Sequence, residues 1–88
     1  MRCQVVGWRV YKDSRRVDLI PLKPGMRCTI GKLSDNTIVM DHNSVSRQHA
    51  LIREDKHGQW KIEDLGSAHG TILNGKNIVE HRQHSLRN

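Results

Sequence analysis

Three short segments of this sequence carry side chains suited to binding an anion. They are residues 31–32, 46–49 and 64–71, and they supply two cations, several hydroxyls, two imidazoles and several glycines. A phosphate bound by loops needs cations, hydroxyl donors and exposed backbone N–H groups, and glycine lets the backbone approach closely. Because the segments are separate in sequence, they can form one site only if the strands between them bring three turns to one rim of a β-domain.

The chemistry of these segments favours a phosphate or a similar anion. Lys32 offers a compact positive charge, Arg47 a guanidinium that can form two parallel hydrogen bonds, and Ser46 a hydroxyl beside it. The third segment adds hydrogen-bond donors and closely approaching backbone at Ser67, His69, Gly70 and Thr71. Taken singly, each glycine is better explained as a turn residue and each hydroxyl as a strand cap. Only their joint spacing favours a binding site.

Short strands separated by tight turns are expected to position the three segments. Apolar alternation and turn residues predict strands at 4–11, 17–22, 27–30, 38–40, 49–54, 59–64 and 71–73. In the first of these strands Val6, Trp8 and Val10 would share one face. Strands 49–54 and 59–64 would form a hairpin, and Asn74-Gly75 predicts a type I′ turn because both central positions need positive φ. No segment shows a convincing helical period, so the sequence predicts an all-β sandwich or barrel.

The length and the charge of the chain limit its function. Its 88 residues are enough for one domain, and 15 Lys and Arg against 9 Asp and Glu give a net charge of +6. A basic surface favours an acidic partner. With no signal peptide before them, Cys3 and Cys28 are expected to be reduced thiols. No apolar run approaches the roughly 18 residues that a membrane span needs, so we expect an intracellular chain with no membrane partner.

Catalysis is not expected from these residues. A P-loop would need a glycine where Met26 stands and a Ser or Thr where Leu33 stands. Ser46, His49 and Asp64 could be written as a nucleophilic triad. However, no nucleophile elbow is present, and a small all-β domain has little room for a substrate pocket. We therefore predict no catalytic residue.

Metal binding is not expected either. The spacing of His81 and His84 is compatible with metal ligands, but no cysteine or carboxylate cluster completes a tetrahedral set. Cys3 and Cys28 are far apart in sequence. We predict no metal site and no cofactor.

The order and spacing of the motifs resemble those of the forkhead-associated (FHA) domain. In that family Gly-Arg is followed by Ser-x-x-His, then by Asp-x-x-Ser-x-Asn-Gly-Thr, and shortly afterwards by Asn-Gly. The corresponding positions here are Gly31-Lys32, Ser46 with His49, residues 64–71 and Asn74-Gly75. The resemblance covers almost the whole chain and implies an all-β FHA-type sandwich of about eleven strands. It also implies a non-catalytic module without a cofactor, whose apical loops bind a phosphothreonine in a partner protein.

The resemblance implies a domain boundary as well. The family continues with one or two further strands beyond the point where this chain stops, at Leu86-Arg87-Asn88. We therefore expect residues 1–88 to form a single FHA domain from the N-terminal part of a longer protein, with its last one or two strands missing from this chain.

The resemblance also implies roles for individual residues. The phosphopeptide contacts that it predicts are Lys32, Ser46, Arg47, Ser67, Ala68 and His69. The residues that it predicts to shape or support the pocket are Gly31, His49, Gly70, Thr71, Asn74 and Gly75. Among these, His49 is expected to tie two loops together through its imidazole rather than to touch the phosphate.

Three positions depart from the family pattern. Lys32 replaces the usual arginine and loses its bidentate geometry, and Ala68 replaces a Thr or Ser and removes a donor. His69 replaces an asparagine that holds the bound peptide. A neutral imidazole can donate one hydrogen bond and accept another, which partly replaces an amide. We expect a His-Gly-Thr variant of the site whose phosphopeptide contacts are altered rather than lost.

Two other functions stay open at this point. The net charge and Arg15-Arg16 would attract a nucleic acid. Direct nucleic-acid binding is the less favoured alternative, because a single-strand platform needs several exposed aromatic residues and only Trp8, Tyr11 and Trp60 are aromatic. A missing last strand would expose a sheet edge through which a second copy could pair. The result would be a homodimerising scaffold with weak or lost phosphate recognition.

The biological setting follows from the resemblance alone. FHA domains at the N-terminus of a chain often belong to nuclear scaffolds, DNA-damage adaptors or kinases. We therefore expect a phosphorylation-dependent adaptor in a nuclear signalling or DNA-damage-response protein. The nucleus is the first expectation for its location, and the cytoplasm is the second.

Overall fold

The structure is a computed structural model that describes residues 3–12, 15–21 and 23–86. Within these ranges the chain forms ten β-strands and no helix, which confirms the all-β prediction. In chain order the strands are β1 (Cys3–Val6), β2 (Arg9–Lys12), β3 (Arg15–Leu19), β4 (Arg27–Gly31), β5 (Ile38–Val39), β6 (Ala50–Glu54), β7 (Trp60–Asp64), β8 (Thr71–Leu73), β9 (Lys76–Asn77) and β10 (Gln83–Ser85).

The strands form two five-stranded sheets that pack as a sandwich. The first sheet has the order β3-β2-β1-β8-β9, and the second has the order β10-β7-β6-β4-β5. Only the pairs β1–β8 and β4–β5 are parallel among the described strand pairs. Since neighbours in the second sheet are mostly antiparallel, chain reversals accumulate at its two ends, and one of these ends carries the candidate site.

One apolar cluster between the sheets holds the fold together. Side chains alternate between the two faces of a strand, and the inward-facing residues of both sheets are buried. They include Cys3, Val5, Val10 and Leu73 from the first sheet and Cys28, Ile30, Ile38, Ile52 and Ile62 from the second. In β7 the predicted alternation is confirmed, because Ile62 is buried while its neighbours Lys61 and Glu63 are only half-buried.

The prediction of one strand over residues 4–11 was wrong. The chain reverses at Gly7 and Trp8, so that β1 and β2 pair as an antiparallel hairpin. Gly7 adopts a φ of 55° in this turn, and its N–H donates to Oδ1 of Asn74 at 3.0 Å. Because of this reversal Val6 and Val10 do not share one buried face as predicted. Val6 is 41% exposed, whereas Val10 is fully buried. Trp8 still packs against the core, but from the turn.

The predicted strand over residues 17–22 corresponds in part to β3, which is an edge strand. All five residues of β3 are exposed, because β3 pairs only with β2 in the described part of the chain. Within this predicted range Ile20, which follows β3, is 5% exposed and belongs to the core. Leu22 lies outside the described residues.

The remaining predicted strands and turns are confirmed. The strands predicted at 27–30 and 38–40 correspond to β4 and β5, and β6 and β7 form the predicted hairpin. Asn74 and Gly75 connect β8 to β9 with φ values of 49° and 85°. Both values are positive, as a type I′ turn requires.

The last strand was not predicted. β10 pairs with β7, and the residue that follows it, Leu86, is 3% exposed and belongs to the core. Its N–H donates to the carbonyl of Trp60 at 2.9 Å. Leu86 is therefore an anchor for the end of the second sheet, while Arg87 and Asn88 lie outside the described residues.

No helix in the described ranges is long and apolar enough to cross a membrane.

We predict that both cysteines are unreactive in the folded protein. Both thiols are free and buried. Burial, with a smaller contribution from the charge of Asp64, raises the pKa of Cys3 to about 12, and burial, followed by the charge of Asp18, raises the pKa of Cys28 to about 11. Because the thiolate is the reactive form, labelling by a soluble thiol reagent at pH 8 should be at least about a hundredfold slower than in the denatured chain. Native and denatured rates of similar size would contradict this burial.

Candidate functional site

Three connections meet at one end of the sandwich. We call them the apical loops, and they comprise residues 32–37, 40–49 and 65–70. They share one end because β4 and β7 finish there, at Gly31 and Asp64, while β6 begins there at Ala50, which pairs with both Ile30 and Asp64. The strand register thus brings together the three segments that the sequence singled out.

His49 links the second apical loop to the third. The side chain is fully buried, its Nδ1 accepts the N–H of Ser46 at 3.1 Å, and its Nε2 lies 2.8 Å from the carbonyl oxygen of Gly70. Since Nδ1 accepts, Nε2 must carry the proton and donate it to that carbonyl. The imidazole is therefore neutral and occupied on both sides by backbone.

This arrangement is not a nucleophilic triad. The atom of Ser46 that contacts His49 is its backbone nitrogen and not its hydroxyl oxygen. The other imidazole nitrogen is 3.9 Å from Oδ2 of Asp64 and closer to the carbonyl of Gly70. A general base would have to face the nucleophilic hydroxyl, and here it does not.

The hydroxyl of Ser46 lies between two apical loops. Its oxygen accepts the N–H of Ala68 at 3.1 Å. A hydroxyl has one proton to donate and two lone pairs to accept with, and within the described residues the Ser46 proton has no protein acceptor. The backbone of Ala68 thus positions the oxygen and leaves the proton available to an incoming acceptor.

Two cations flank Ser46. The N–H of Lys32 donates to the carbonyl of Ser46 at 3.0 Å, so the two residues are neighbours across the loops. The ammonium of Lys32 donates to Oδ1 of Asn43 at 3.2 Å. Arg47 is exposed, and its guanidinium makes no hydrogen bond or ion pair to the described residues. Lys32 and Arg47 thus bring two positive charges to the loops that carry Ser46, and of the two only the ammonium of Lys32 has a hydrogen-bond partner among the described residues.

Asp64 organises the third apical loop. Its carboxylate, 1% exposed, accepts the N–H groups of Gly66 and Ser67 and the hydroxyls of Ser67 and Thr71, at 2.6–2.9 Å. Burial raises the pKa of Asp64, but the hydrogen bonds from Ser67 and Thr71 outweigh it and leave the pKa below its ordinary value. The ionised carboxylate is the form that these donors stabilise.

The prediction that Ser67 contacts the ligand stays a prediction. In this structure its hydroxyl donates to Oδ2 of Asp64 at 2.6 Å, a hydrogen bond within the protein that engages its single proton. Ser67 and the buried Thr71 both serve Asp64 and thereby shape the loop. Ala68 and His69 lie on the outside of the same loop, and His69 is exposed beside the backbone N–H that holds Ser46.

Gly31 and Asn36 fix the first apical loop against the second. A Cβ at Gly31 would overlap the backbone carbonyl oxygen of Arg47 and would lie 2.7 Å from Nδ2 of Asn36. Nδ2 of Asn36 donates to the carbonyls of Leu33 and Arg47, both at 2.9 Å. The backbone of Arg47 is thus held by an amide that can only fit beside a glycine.

Two predicted support residues lie away from the site. Asn74 and Gly75 form the turn at the opposite end of β8 from Thr71. Asn74 receives the N–H of Gly7 through its side chain and donates its own N–H to the carbonyl of Val5 at 2.8 Å. These residues therefore brace the β1–β2 hairpin, and they do not contact the apical loops. Gly70, by contrast, lies in the third apical loop with a φ of 78°.

Sequence reasoning did not identify Asn36, Asn43 or Asp64 as residues that organise the loops, although Asp64 begins the third segment that it singled out. Asn36 and Asp64 are 8% and 1% exposed, and a polar residue beside a glycine-containing turn is a signal that could have identified them as loop organisers. Asn43 contributes only through its contact with Lys32, which depends on the folding of the loop. No group of three or more His, Cys, Asp or Glu residues that could hold a metal ion occurs in the described ranges.

Comparison with known proteins gives a consistent result. The profile of the FHA domain matches residues 28–88. The chain is 35% identical over 79 residues to the Arabidopsis thaliana protein phosphatase 1 regulatory inhibitor subunit PPP1R8 homolog, a match that covers 90% of this chain and 21% of that protein. The chain therefore spans about a fifth of the length of this curated relative.

Solved structures resemble the fold as well. The FHA domain of an Arabidopsis thaliana hypothetical protein superposes with a TM-score of 0.67 at 32% identity, covering 81% of this chain and 58% of that one. Mycobacterium tuberculosis EmbR, in complex with a low-affinity phosphopeptide, superposes with a TM-score of 0.63 at 35% identity, covering 70% of this chain and 16% of that one.

Proposed function

Because this chain belongs to the FHA domain family, we propose that its apical loops bind a phosphothreonine in a partner protein. FHA domains are non-enzymatic, phosphopeptide-binding modules for protein interactions. The finer proposal is that this domain acts as an adaptor that joins its own chain to a partner only after that partner is phosphorylated.

The observation that carries the proposal is the state of the Ser46 hydroxyl. Its oxygen accepts the N–H of Ala68, and its proton has no acceptor among the described residues, so it can be donated to a ligand. A phosphate oxygen in that position would also meet the charges of Lys32 and Arg47. Charge-assisted hydrogen bonds are roughly twice as strong as neutral ones, which is why an anion is favoured over a neutral ligand here.

Phosphothreonine is proposed over phosphoserine for a physical reason. Threonine is β-branched and occupies fewer side-chain rotamers than serine. Binding therefore loses less rotamer entropy when the phosphate is presented on threonine.

An oriented peptide library tests the proposal. Libraries with a fixed phosphothreonine, phosphoserine or unmodified threonine would be titrated against the domain and against Ser46→Ala. We expect binding of the phosphothreonine library, weaker binding of the phosphoserine library and none of the unmodified one, with a tenfold or larger loss in Ser46→Ala. Equal binding of all three libraries would refute the proposal.

We predict that Lys32→Arg strengthens phosphopeptide binding. A guanidinium can form two parallel hydrogen bonds with a phosphate, whereas an ammonium acts as a point charge. The dissociation constant should fall by about threefold to tenfold, measured by calorimetric titration with a phosphothreonine peptide. The matched control is Lys76→Arg on β9, far from the apical loops, which should leave affinity unchanged. Weaker binding by Lys32→Arg would show that Lys32 does not face the phosphate.

The setting of the whole protein is part of the proposal and is tested separately. We propose a nuclear location and a role in phosphorylation-dependent signalling, both from family resemblance. Homodimerisation and direct nucleic-acid binding stay predictions of the sequence. Light scattering of the purified chain tests homodimerisation. A titration with unmodified oligonucleotides, without any phosphopeptide, tests nucleic-acid binding.

A further inference from the structure

Three cations stand directly opposite one another on the second sheet. Arg27 on β4 pairs with Arg53 on β6, and Arg53 pairs with Lys61 on β7. We call these residues the basic row. Directly opposed side chains have Cβ atoms about 4.5–5.5 Å apart, so the row places three positive charges within a span of about 10 Å.

The basic row lies on the outer face of the sandwich. The residues next to its members along the strands, namely Cys28, Ile52 and Ile62, are all in the buried core. Because side chains alternate between faces, the row must point away from the core. Arg27 and Arg53 are exposed and Lys61 is half-buried.

The cations of the basic row form no ion pair with any described residue. In the described part of the chain the one ion pair within 4.0 Å joins His49 to Asp64, which is remote from the row. Lys61 donates to the hydroxyl of Ser85 at 3.0 Å, a neutral partner. Like charges directly opposite in a sheet are destabilising. The backbone N–H of Gln59 and, less strongly, the charge of Lys61 lower the pKa of Asp55, so Lys61 has one carboxylate nearby, whereas Arg27 and Arg53 have no ion-pair partner in the described part of the chain.

The row next to it, closer to the apical loops, does not continue the positive charge. It consists of Thr29, Leu51 and Glu63 in register. Glu63 lies two residues along β7 from Lys61 and makes no ion pair with the basic row. The basic row is therefore a short, isolated cationic patch and not part of a long groove.

The basic row and the apical loops share the same strands. β4 runs from Arg27 to Gly31, where the first apical loop begins. Four residue steps of about 3.3 Å place the row about 13 Å from that loop. A peptide anchored at the loops would reach the row after roughly four extended residues on one side of its phosphothreonine.

From this placement we infer that the basic row binds an acidic stretch of the same phosphorylated partner, a few residues away from the phosphothreonine. The inference rests on the proposed function, because the apical loops supply the anchor. Once one end of the peptide is held, binding of the acidic stretch becomes intramolecular and a weak contact gains from a high effective concentration. The two arginines suit carboxylates because their planar forks match carboxylate geometry.

A nucleic acid fits the same surface less well. A single strand would need stacking platforms along a positive groove, and the neighbouring row offers a threonine, a leucine and a glutamate. The span of the basic row covers only one or two phosphates. An acidic peptide of a few residues matches this size.

The inference is tested with a phosphothreonine peptide extended by four glutamates, placed about five residues before or after the phosphothreonine. Matched peptides carry four glutamines. At about 50 mM salt we expect one glutamate peptide to bind about fivefold to tenfold tighter than its glutamine counterpart, and the gain to shrink at about 300 mM salt because exposed charges are screened. The double variant Arg27→Gln/Arg53→Gln should reduce the gain to less than about twofold while the unextended peptide binds as before.

The matched control is Arg9→Gln, an exposed arginine on the other sheet, which should keep the full gain. Unfolding is checked by the thermal midpoint: removing like charges from the row should leave it unchanged or raise it by about 1–5 °C. No gain from either glutamate extension, or a gain that survives the double variant, overturns the inference. The inference would also be overturned, in favour of nucleic acid, if a mixed-sequence single-stranded oligonucleotide bound more tightly than the glutamate-extended peptide and lost that binding in the double variant.

Failure of the proposed function is recognised separately. In that case the unextended phosphothreonine peptide does not bind at all. A hexaglutamate peptide is then titrated alone and followed by backbone amide NMR. Shifts centred on β4, β6 and β7 support an acidic ligand for the basic row, and their absence overturns it.

Discussion

Gly31→Ala should lower the free energy of unfolding by about 3 kcal/mol or more, close to the largest effect of any single methyl group in this domain. The added Cβ would overlap the backbone carbonyl of Arg47 and crowd the Asn36 amide at 2.7 Å. Backbone cannot move aside as the end of a flexible side chain can, so the two apical loops would have to separate. For a domain of this size the thermal midpoint should fall by about 12 °C or more, as measured by circular dichroism.

The control for Gly31→Ala is Gly25→Ala. Gly25 has a φ of 77°, and a Cβ there meets nothing within 4 Å. That variant carries the cost of a left-handed backbone conformation without a clash, about 1 kcal/mol. If both variants lost the same stability, the close approach between Gly31 and Arg47 would not be the cause. Any Gly31→Ala protein that still folds should also bind phosphopeptide less tightly, because Ser46 and Arg47 would be displaced together.

Asp64→Asn should destabilise the domain by about 3–5 kcal/mol at neutral pH. Four donors from Gly66, Ser67 and Thr71 converge on this carboxylate. An asparagine would lose the charge and place an NH₂ group against one or more of these donors, leaving a buried hydroxyl without an acceptor. Chemical denaturation of both proteins gives the difference directly.

The stabilisation that Asp64 contributes to the folded protein should also decrease as the pH is lowered. Its pKa in the folded protein is below the ordinary 3.8, so its contribution is present above about pH 4 and is lost as pH falls through the folded pKa. The difference in unfolding free energy between wild type and Asp64→Asn should therefore narrow in that acidic range. Asp55→Asn is the control for stability at neutral pH, since its amide oxygen can still accept the N–H groups of His57 and Gln59. A gap that stayed constant down to pH 2 would contradict an ionised, hydrogen-bonded Asp64.

Local sequence signals were sufficient for the β8–β9 turn of the first sheet and for four strands of the second sheet, β4 to β7, but not for β10. Asn74-Gly75 has one dominant turn type, and Trp60 to Asp64 alternates strictly, so both were predictable. The β1–β2 hairpin was not predictable in the same way. Val6, Trp8 and Val10 satisfy a single-strand alternation, and the only local sign of the reversal is Gly7, which a strand can also tolerate.

In the candidate site, too, some features could be predicted from the sequence and others could not. The positions of Ser46 and Arg47 followed from the motif spacing, because the motif fixes which turns meet. The orientation of Ser67 did not follow, since a serine two or three residues after an aspartate can donate to it or to a ligand, and only the folded loop decides between them. The basic row depends on the register of β4, β6 and β7, and register across strands cannot be read from one strand at a time.

The central claim is that the apical loops bind a phosphorylated threonine, and backbone amide NMR tests it most directly. The labelled domain would be titrated with one phosphothreonine peptide, before and after treatment of the peptide with a phosphatase. We predict that the amides of Lys32, Ser46 and Ala68 shift most, that Ser46→Ala abolishes these shifts, and that dephosphorylation reverses them. Shifts confined to residues outside the apical loops, or identical shifts with the dephosphorylated peptide, would contradict the claim.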